Sequence, residues 1–273
     1  MLSLDEVQVD NLRERATESV VTEERRRRSP SFSLVVPVYN EESVVAEKLS
    51  VLHRFLGSEN CELIVFDDCS LDRTLAELRK TAPCWRNPGM RLLHSSLRVG
   101  KGASVRSAAQ KASGEVLVVM DVDLSADLRS LPILVEEARE KGGLVIGERD
   151  VADRSTQGLL RIALSLTYNS LVRLLFRTGI KDHQCGFKAM RTEDARRVMA
   201  KTRNDGFIFD TELIVLARIW GIPVRRISVR WINSRRGKSS VKWIKAGITM
   251  MKDLVALKLH GLPQVARLEH ERP

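Results

Sequence analysis

The chain has 273 residues, of which 43% are hydrophobic and 29% charged, enough to bury one large core or one domain with appendages. No stretch approaches the roughly 18 apolar residues of a spanning helix, and the acidic, polar start does not resemble a secretory signal, so we expect a cytoplasmic protein. The net charge of +10 favours anionic partners, whereas only 5% aromatic residues, not interleaved with basic clusters, argue against a nucleic-acid partner.

A polar leader precedes the first predicted element. Residues 1–30 are highly charged and end in RRRRSP, and we predict a mobile or loosely helical leader there. We interpret the run Arg25–Arg28 as part of this solvated leader, with a nucleic-acid or lipid patch as the alternative. The predicted domain therefore begins at residue 31.

Short apolar runs alternate with helical patterns through the first half of this domain. The predicted strands are FSLVVPVY from residue 32, CELIVFDD from 61, MRLLHS from 90, EVLVVMDVD from 115 and GLVIGER from 143. The predicted helices span residues 41–56, 70–80, 102–112 and 131–141. Such alternation indicates βαβ units. We therefore predict an α/β fold, a doubly wound, mostly parallel sheet with helices on both faces.

The second half is mostly helical in pattern. Predicted helices span residues 157–177, 191–201 and 211–221, and IPVRRISVRWI from residue 222 alternates as a strand does. We divide the chain into the leader, a domain over residues 31–240, and a C-terminal amphipathic helix and tail over residues 241–273.

The last predicted helix, over residues 241–259, has two chemically different sides. Its lysines fall on one side, and its apolar residues, including Trp243, fall on the other. Such a helix is typical of an anionic membrane surface, and packing of the apolar side on the core is the alternative.

Polar residues cluster where three predicted strands end. They are Pro37, Tyr39, Asn40 and Glu41 after the first strand, Asp67, Asp68 and Ser70 after the second, and Asp121 and Asp123 after the fourth. In doubly wound sheets ligands bind at the carboxyl ends of the strands. Carboxylates gathered there repel one another unless a cation or a donor-rich ligand is bound. The pattern therefore predicts a site for a nucleotide and a divalent metal.

The D-x-D formed by Asp121 and Asp123 is the predicted metal-binding element. In an extended segment residues i and i+2 point to the same side, so the two carboxylates can converge. Two hard oxygen ligands suit Mg²⁺ or Mn²⁺, which would also bind diphosphate oxygens and stabilise a leaving group. VGKGAS lacks the spacing of a Walker motif, and its Lys101 is not followed by Ser or Thr. A Rossmann G-x-G-x-x-G is absent as well, and the two absences argue against an ATPase and a dehydrogenase.

The four cysteines show no paired or zinc-like spacing and are predicted to be reduced thiols. We predict Cys185 to be a small buried residue and His183 to form local hydrogen bonds. Gly186 is predicted to serve close backbone packing.

Taken in order, VVPVYNEE, FDDCSLDRT, RVGKGASVRSA and VVMDVDLS resemble the inverting glycosyltransferases of family two, which have the GT-A fold. The later segments IGERD, RIALS, KDHQCGFKAMR, FDTELIVLA and RRGKSS resemble polyprenyl-phosphate sugar synthases, particularly dolichyl-phosphate glucosyl- and mannosyltransferases. The resemblance covers about residues 32–260. It implies a nucleotide-sugar donor and a polyprenyl phosphate acceptor.

The resemblance also implies a role for each matching residue. The nucleoside pocket would be lined by Pro37, Tyr39, Glu41 and Asp68, with Lys101 in the same donor-binding set. The metal and diphosphate would be held by Asp121 and Asp123. The acceptor phosphate would be received by Arg149, Arg161 and Ser165, and donor phosphates would be gripped by Arg236 from a mobile loop. Ser125 stands where some relatives have Gln as a third metal contact, so that contact is unassigned.

Other interpretations of these residues stay open. Arg149 and Arg161 could instead form surface ion pairs of little energetic value. Asp210 and Glu212 could form a catalytic pair, or they could orient neighbouring basic residues.

An acceptor phosphate is already anionic, so transfer to it requires no general base. Catalysis would consist of placing that oxygen behind the anomeric carbon while cations stabilise the departing diphosphate. We predict inversion, with an α-linked UDP-glucose or GDP-mannose giving a β-linked product. One alternative is a transferase of the same fold that acts on a soluble hydroxyl, with Asp210 as the base. The other is a catalytically silent nucleotide-sugar-binding protein.

Overall fold

One seven-stranded sheet organises the part of the chain that the structure describes. This computed structural model describes residues 30–57, 59–85, 89–149, 159–231 and 243–259. The strands are β1 (Phe32–Val38), β2 (Cys61–Asp67), β3 (Gly89–His94), β4 (Val116–Val119), β5 (Leu144–Arg149), β6 (Lys188–Arg191) and β7 (Val224–Val229). The predicted leader up to residue 29 and the predicted tail after residue 259 lie outside the described residues.

The order of the strands creates a crevice at one edge of the sheet. That order is β3-β2-β1-β4-β6-β5-β7. Strands β1 to β4 are mutually parallel, and β5 is parallel to β7, whereas β6 is antiparallel to both of its neighbours. The predicted doubly wound, mostly parallel sheet is confirmed. Because β1 has β2 on one side and β4 on the other, the winding reverses between β1 and β4, and ligands bind at the carboxyl ends of such a switch point.

Helices cover the two faces of this sheet. They are α1 (Val45–Leu56), α2 (Thr74–Thr81), α3 (Lys101–Lys111), α4 (Leu131–Lys141), α5 (Leu159–Phe176), α6 (Thr192–Met199), α7 (Phe209–Ile219) and α8 (Trp243–Leu259). The bounds of α4 match the prediction. Helix α1 begins at Val45 instead of residue 41. The amide of Asn40 donates to Ser70 in the loop after β2, and that of Glu41 donates to Thr74 at the start of α2.

Alternate side chains of the central strands enter two separate cores. Leu34 and Val36 of β1 pack with α1 and α4 on one face, whereas Val35 packs with α3, α6 and α7 on the other. A strand whose two faces are both buried is an almost continuous apolar run. This explains why β1, β2 and β4 were recognisable in the sequence.

Strand β6 was not predicted. It has four residues, KAMR, and its first residue, Lys188, is 2% exposed. A lysine normally indicates a solvent-facing position, because burial of its charge is costly unless a partner is present. That partner is Asp210, on α7.

The C-terminal helix α8 packs against α5. Leu254 is fully buried there with Tyr168 and Val172, and Met250 and Met251 are partly buried against the same cluster. For these apolar residues of α8, the structure agrees with the alternative prediction, in which the apolar side of the helix packs on the protein. The side chain of Trp243 lies outside the described residues. Among the helices described, none is both long enough and apolar enough to cross a membrane.

Candidate active site

Three loops meet at the carboxyl ends of β1, β2 and β4. Each contains one non-glycine residue with positive φ: Asn40 at 51°, Cys69 at 56° and Leu124 at 49°. Such conformations are uncommon for non-glycine residues, and they persist where surrounding contacts enforce them. One such contact joins the loops after β1 and β2, since Asn40 Oδ1 accepts a hydrogen bond from the amide of Leu71 at 2.8 Å. The parallel pairing of β1 with both β2 and β4 places the third loop at the same edge of the sheet. The three predicted polar clusters therefore lie together, as expected from parallel strands.

The loop after β3 completes the side of the site that was predicted to hold the nucleoside. Asp68 accepts hydrogen bonds from the amides of Val99, at 2.7 Å, and Gly100, at 2.9 Å. The guanidinium carbon of Arg98 lies 3.7 Å from the centre of the Tyr39 ring. Asp68 thus fixes the loop, and Arg98, which the sequence analysis missed, stacks on a predicted pocket residue. Pro37 and Glu41 are partly exposed beside it.

A buried carboxylate also lies at the end of β2. Asp67 is fully buried, and its Oδ2 lies 2.9 Å from Nδ1 of His94 at the end of β3. Its Oδ1 atom has no hydrogen-bond partner among the described residues. The sequence analysis placed Asp67 in the polar cluster and assigned no role to His94.

Asp121 and Asp123 line one small pocket. Its other lining residues are Met120, Ser125, Ala126, Gly186, Phe187 and Trp231. The expected reason for their convergence was wrong, because β4 ends at Val119 and the D-x-D lies in a turn closed by the Leu124 amide on the Asp121 carbonyl. A Cβ atom on Gly186 would clash with the Asp121 carboxylate, so close packing at this glycine is confirmed.

The two carboxylates are compatible with a divalent cation. Within the described ranges, no group of three or more His, Cys, Asp or Glu side chains could hold a metal ion. Mg²⁺, however, is commonly bound by one or two carboxylates together with substrate phosphates and water. The Ser125 amide donates to Asp123 Oδ1 at 3.1 Å, which orients that carboxylate. The two carboxylates of Asp121 and Asp123 therefore suit a divalent cation whose remaining ligands come from a bound diphosphate and water.

Asp121 belongs to a chain of alternating charges. Nζ of Lys101 lies 2.9 Å from Asp121 Oδ1 and 2.8 Å from Asp210 Oδ2. On the far side of Asp210, Nζ of Lys188 lies 2.7 Å from Oδ1 and also donates to the Cys185 carbonyl. Burial alone would raise the pKa of the Asp210 carboxyl, but Lys101 and Lys188 outweigh it, and the pKa is lowered. Burial would lower the pKa of Lys101, but Asp121 and Asp210 raise it.

Glu212 takes no part in this chain of charges. Its two carboxylate oxygens accept hydrogen bonds from the amides of Arg203 and Asn204, each at 2.8 Å. Asp210 and Glu212 therefore bind different partners. Asp210 and Glu212 were interpreted either as a catalytic pair or as residues that orient neighbouring basic side chains. The ion pairs of Asp210 with Lys101 and Lys188 agree with the second interpretation.

Arg149, at the end of β5, is held by a fully buried carboxylate. Its guanidinium makes a two-pronged ion pair with Asp182, with Nη2 2.8 Å from Oδ1, and it lies 5.0 Å from the ring centre of Trp231. Burial works against its charge, but Asp182 raises its pKa, and Asp121 adds to that effect. Arg149 therefore stays cationic beside the pocket wall.

The other predicted acceptor residues are only partly described. Ser165 lies on α5, half-buried, where its Oγ accepts a hydrogen bond from the side-chain Nδ2 of Asn169 at 3.4 Å. Nothing is described of the Arg161 side chain, and Arg236 lies outside the described residues. The structure therefore brings together Lys101, Asp121, Asp123, Asp210 and Arg149.

His183 forms local hydrogen bonds, as predicted. Its Nδ1 lies 2.9 Å from Asn169 Oδ1, and its Nε2 lies 2.7 Å from Thr178 Oγ1. The ring is fully buried, and this burial lowers its pKa from 6.5 to about 4. Cys185 is fully buried as well.

The neutral state of His183 has a consequence for stability in acid. Below pH 6.5 the unfolded chain binds a proton at this residue, whereas the native protein does not until about pH 4. Stability is therefore expected to fall across that range, by up to about 3 kcal/mol. Urea unfolding of the wild type and of His183→Gln between pH 7.5 and pH 4.5 measures it. The difference in free energy of unfolding between the wild type and His183→Gln should decrease as the pH falls. A difference that stays constant would contradict a neutral, buried His183.

Comparison with known proteins identifies the class of this enzyme as a glycosyltransferase. Residues 33–199 match the sequence profile of Glycosyl transferase family 2, and the chain belongs to that family. Dolichyl-phosphate beta-glucosyltransferase ALG5C of Trichomonas vaginalis is 32% identical over 248 residues, 84% of this chain and 71% of that protein. Glycosyltransferase AglD of Haloferax volcanii is 34% identical over 205 residues, 73% of this chain, which spans only 32% of AglD. The predicted resemblance is confirmed.

A solved structure has the same fold. Glucosyl-3-phosphoglycerate synthase from Mycobacterium tuberculosis, in complex with Mn²⁺, uridine diphosphate and phosphoglyceric acid, superposes with a TM-score of 0.63. The match covers 85% of this chain and 79% of that one, at 18% identity. The predicted GT-A fold is confirmed.

Proposed function

We propose that the chain transfers a hexose from a nucleotide sugar to a polyprenyl phosphate, with inversion at the anomeric carbon and with Mg²⁺ or Mn²⁺. The observation that carries the proposal is the pocket in which Asp121 and Asp123 lie beside two charged cations, Lys101 and Arg149. Carboxylates for a metal and cations for phosphates are both needed when two anionic substrates must meet.

The donor is bound at the switch point between β1 and β4. Asp121 and Asp123 would hold the divalent cation, which neutralises charge on the leaving diphosphate when bound. Pro37, Tyr39, Glu41 and Asp68 form the nucleoside side, and Lys101 and Arg236 contact donor phosphates. The proposed donor is UDP-glucose, because dolichyl-phosphate beta-glucosyltransferases are among the similar proteins. GDP-mannose is the alternative sugar donor.

The acceptor is a phosphate rather than a hydroxyl. A hydroxyl acceptor would need a base, and the candidate, Asp210, is 4% exposed and ion-paired on both oxygens with lysines. Its lowered pKa makes it a poor proton acceptor near neutral pH. An ionised phosphate removes that requirement. Arg149, Arg161 and Ser165 receive it, with Arg149 held in place by Asp182.

A membrane surface presents this acceptor. Helices α5 and α8 leave large apolar side chains in solvent, namely Leu164 at 42%, Leu166 at 46%, Leu174 at 75%, Val255 at 47% and Leu259 at 76% exposed. Lys252 and Lys258 of α8 are exposed beside them. Apolar residues flanked by lysines suit the interface of an anionic bilayer. The protein is expected to bind there peripherally, at the cytoplasmic face.

One experiment tests donor, acceptor and product together. The full-length protein is incubated with UDP-glucose or GDP-mannose, with Mn²⁺, Mg²⁺ or EDTA, and with undecaprenyl or dolichyl phosphate in anionic vesicles. We expect metal-dependent formation of a β-linked glycosyl phosphate, assigned by NMR, and co-sedimentation of the protein with the vesicles at low salt.

Each component of the proposal has its own contrary result. An α-linked product would overturn inversion. Undiminished transfer in EDTA would overturn metal dependence. Transfer only to soluble alcohols would replace the lipid phosphate by a hydroxyl acceptor, and protein that stays in the supernatant would remove the membrane surface.

A further inference from the structure

The ammonium group of Lys101 lies between two carboxylates. Its Nζ is 2.9 Å from Asp121 Oδ1 and 2.8 Å from Asp210 Oδ2, and its side chain is 12% exposed. Asp121 is one of the two residues assigned to the divalent metal. The ammonium group of Lys101 therefore compensates the charge of a carboxylate that is assigned to the metal.

The backbone beneath Lys101 is fixed. The Gly102 amide donates to the Asp205 carbonyl at 2.7 Å. A Cβ atom on Gly100 or Gly102 would clash with the backbone around Asp205 or Asn204, so this close approach requires glycine on both sides of the lysine. The backbone position of Lys101 is thus set by these contacts, and its side chain is the flexible part.

Asp210 allows that movement without an uncompensated charge. Because Lys188 also pairs with Asp210, at 2.7 Å, this buried carboxylate keeps a cation when the Lys101 ammonium group turns away. Asp121, by contrast, is 36% exposed at its side chain and faces the pocket. The two ion pairs of Lys101 are thus unequal, one being buried and supported and the other open to an arriving ligand.

We propose that Lys101 is an internal counter-ion that competes with the divalent cation for Asp121 and is drawn off it by the donor diphosphate. Metal and nucleotide then bind synergistically, because the nucleotide removes the competitor of the metal. This inference rests on the proposed function, since it assumes that Asp121 and Asp123 bind metal with a nucleotide diphosphate. The coupling is reciprocal, so Mn²⁺ strengthens nucleotide binding by the same factor.

Binding of Mn²⁺ tests the inference without catalysis. Free Mn²⁺ is titrated by electron paramagnetic resonance against the full chain, with and without UDP or GDP. Lys101→Met and Lys101→Gln remove the charge, and the glutamine keeps a hydrogen-bond donor for Asp210. Lys111→Met is the matched control, because this exposed lysine ends the same helix, about 15 Å away along its axis. Thermal unfolding verifies that each variant is folded.

Without nucleotide, both Lys101 variants are expected to bind Mn²⁺ about tenfold more tightly than the wild type, and Lys111→Met to match the wild type. The enhancement of Mn²⁺ affinity by nucleotide should shrink by a similar factor in the Lys101 variants. Unchanged or weaker Mn²⁺ binding by a folded Lys101 variant would overturn the inference, and so would an equal gain in Lys111→Met. If the wild type bound no Mn²⁺ even with nucleotide, the metal site of the proposed function would fail first.

Discussion

Asp121→Asn protein is expected to lose sugar transfer by about a thousandfold or more, which corresponds to about 4 kcal/mol of transition-state stabilisation. The substitution keeps the shape of the side chain and removes its charge. The pocket then keeps only Asp123 as a carboxylate ligand for the metal, and the new amide faces the Lys101 ammonium. A divalent cation that neutralises the leaving diphosphate would lose one of its two hard ligands.

Initial rates at saturating Mn²⁺ and donor measure this loss, and Asp127→Asn is the matched control. Asp127 lies four residues after Asp123, and it binds the amide and guanidinium of Arg129 rather than lining the pocket. Asparagine keeps an oxygen that accepts from the Arg129 amide, and only the charge of an exposed ion pair is lost. Stability should therefore fall by less than about 1 kcal/mol, and the rate should stay within about threefold. Equal losses of activity in the two variants would mean that folding of this segment, not the metal site, explains the defect.

The parallel part of the fold was predictable because its signals are local. Strands β1, β2 and β4 are buried on both faces and appear as apolar runs, and the polar residues at their ends mark one edge of the sheet. Parallel neighbours place those ends side by side whatever the details of the loops. The location of the candidate site therefore followed from the strand pattern alone.

The chemistry between the loops was not predictable, because it depends on residues distant in sequence. Lys188 was given no role from the sequence, and only the fold places it against Asp210, 22 positions later. Likewise Arg149 meets Asp182 across 33 positions. The available signal was Asp210 itself, because a carboxylate within the apolar segment FDTELIVLA needs a partner if it is buried.

The geometry of the D-x-D also escaped prediction. Alternation along a strand was the reason given for the convergence of Asp121 and Asp123. In the structure β4 stops at Val119, and a turn followed by Leu124 at φ 49° places both residues on the lining of one pocket. The conclusion survived although its reason was wrong. Both conformations place the carboxylates at the strand end, and the sequence carries no signal for the positive φ of a leucine.

Asp210→Asn protein is expected to be less stable than the wild type by about 3 kcal/mol, a drop in melting temperature of about 6–12 °C for a chain of this size. The substitution leaves the buried Lys188 without its carboxylate, whereas Lys101 keeps Asp121. Because the native pKa of Asp210 is lowered, its contribution is present above the unfolded pKa near 4. The contribution is lost as the pH falls through the native pKa, so the deficit should shrink in acid.

A double-mutant cycle separates this structural role from general-base catalysis. Asp210→Asn/Lys188→Met removes both charges of the buried pair, so it should recover about 1–2 kcal/mol relative to Asp210→Asn alone. With a phosphate acceptor, transfer by the folded single variant should fall only about tenfold, because no proton has to be removed from the acceptor. A folded Asp210→Asn protein that lost more than about a thousandfold in kcat, with no recovery of stability in the double variant, would instead identify Asp210 as the base for a hydroxyl acceptor.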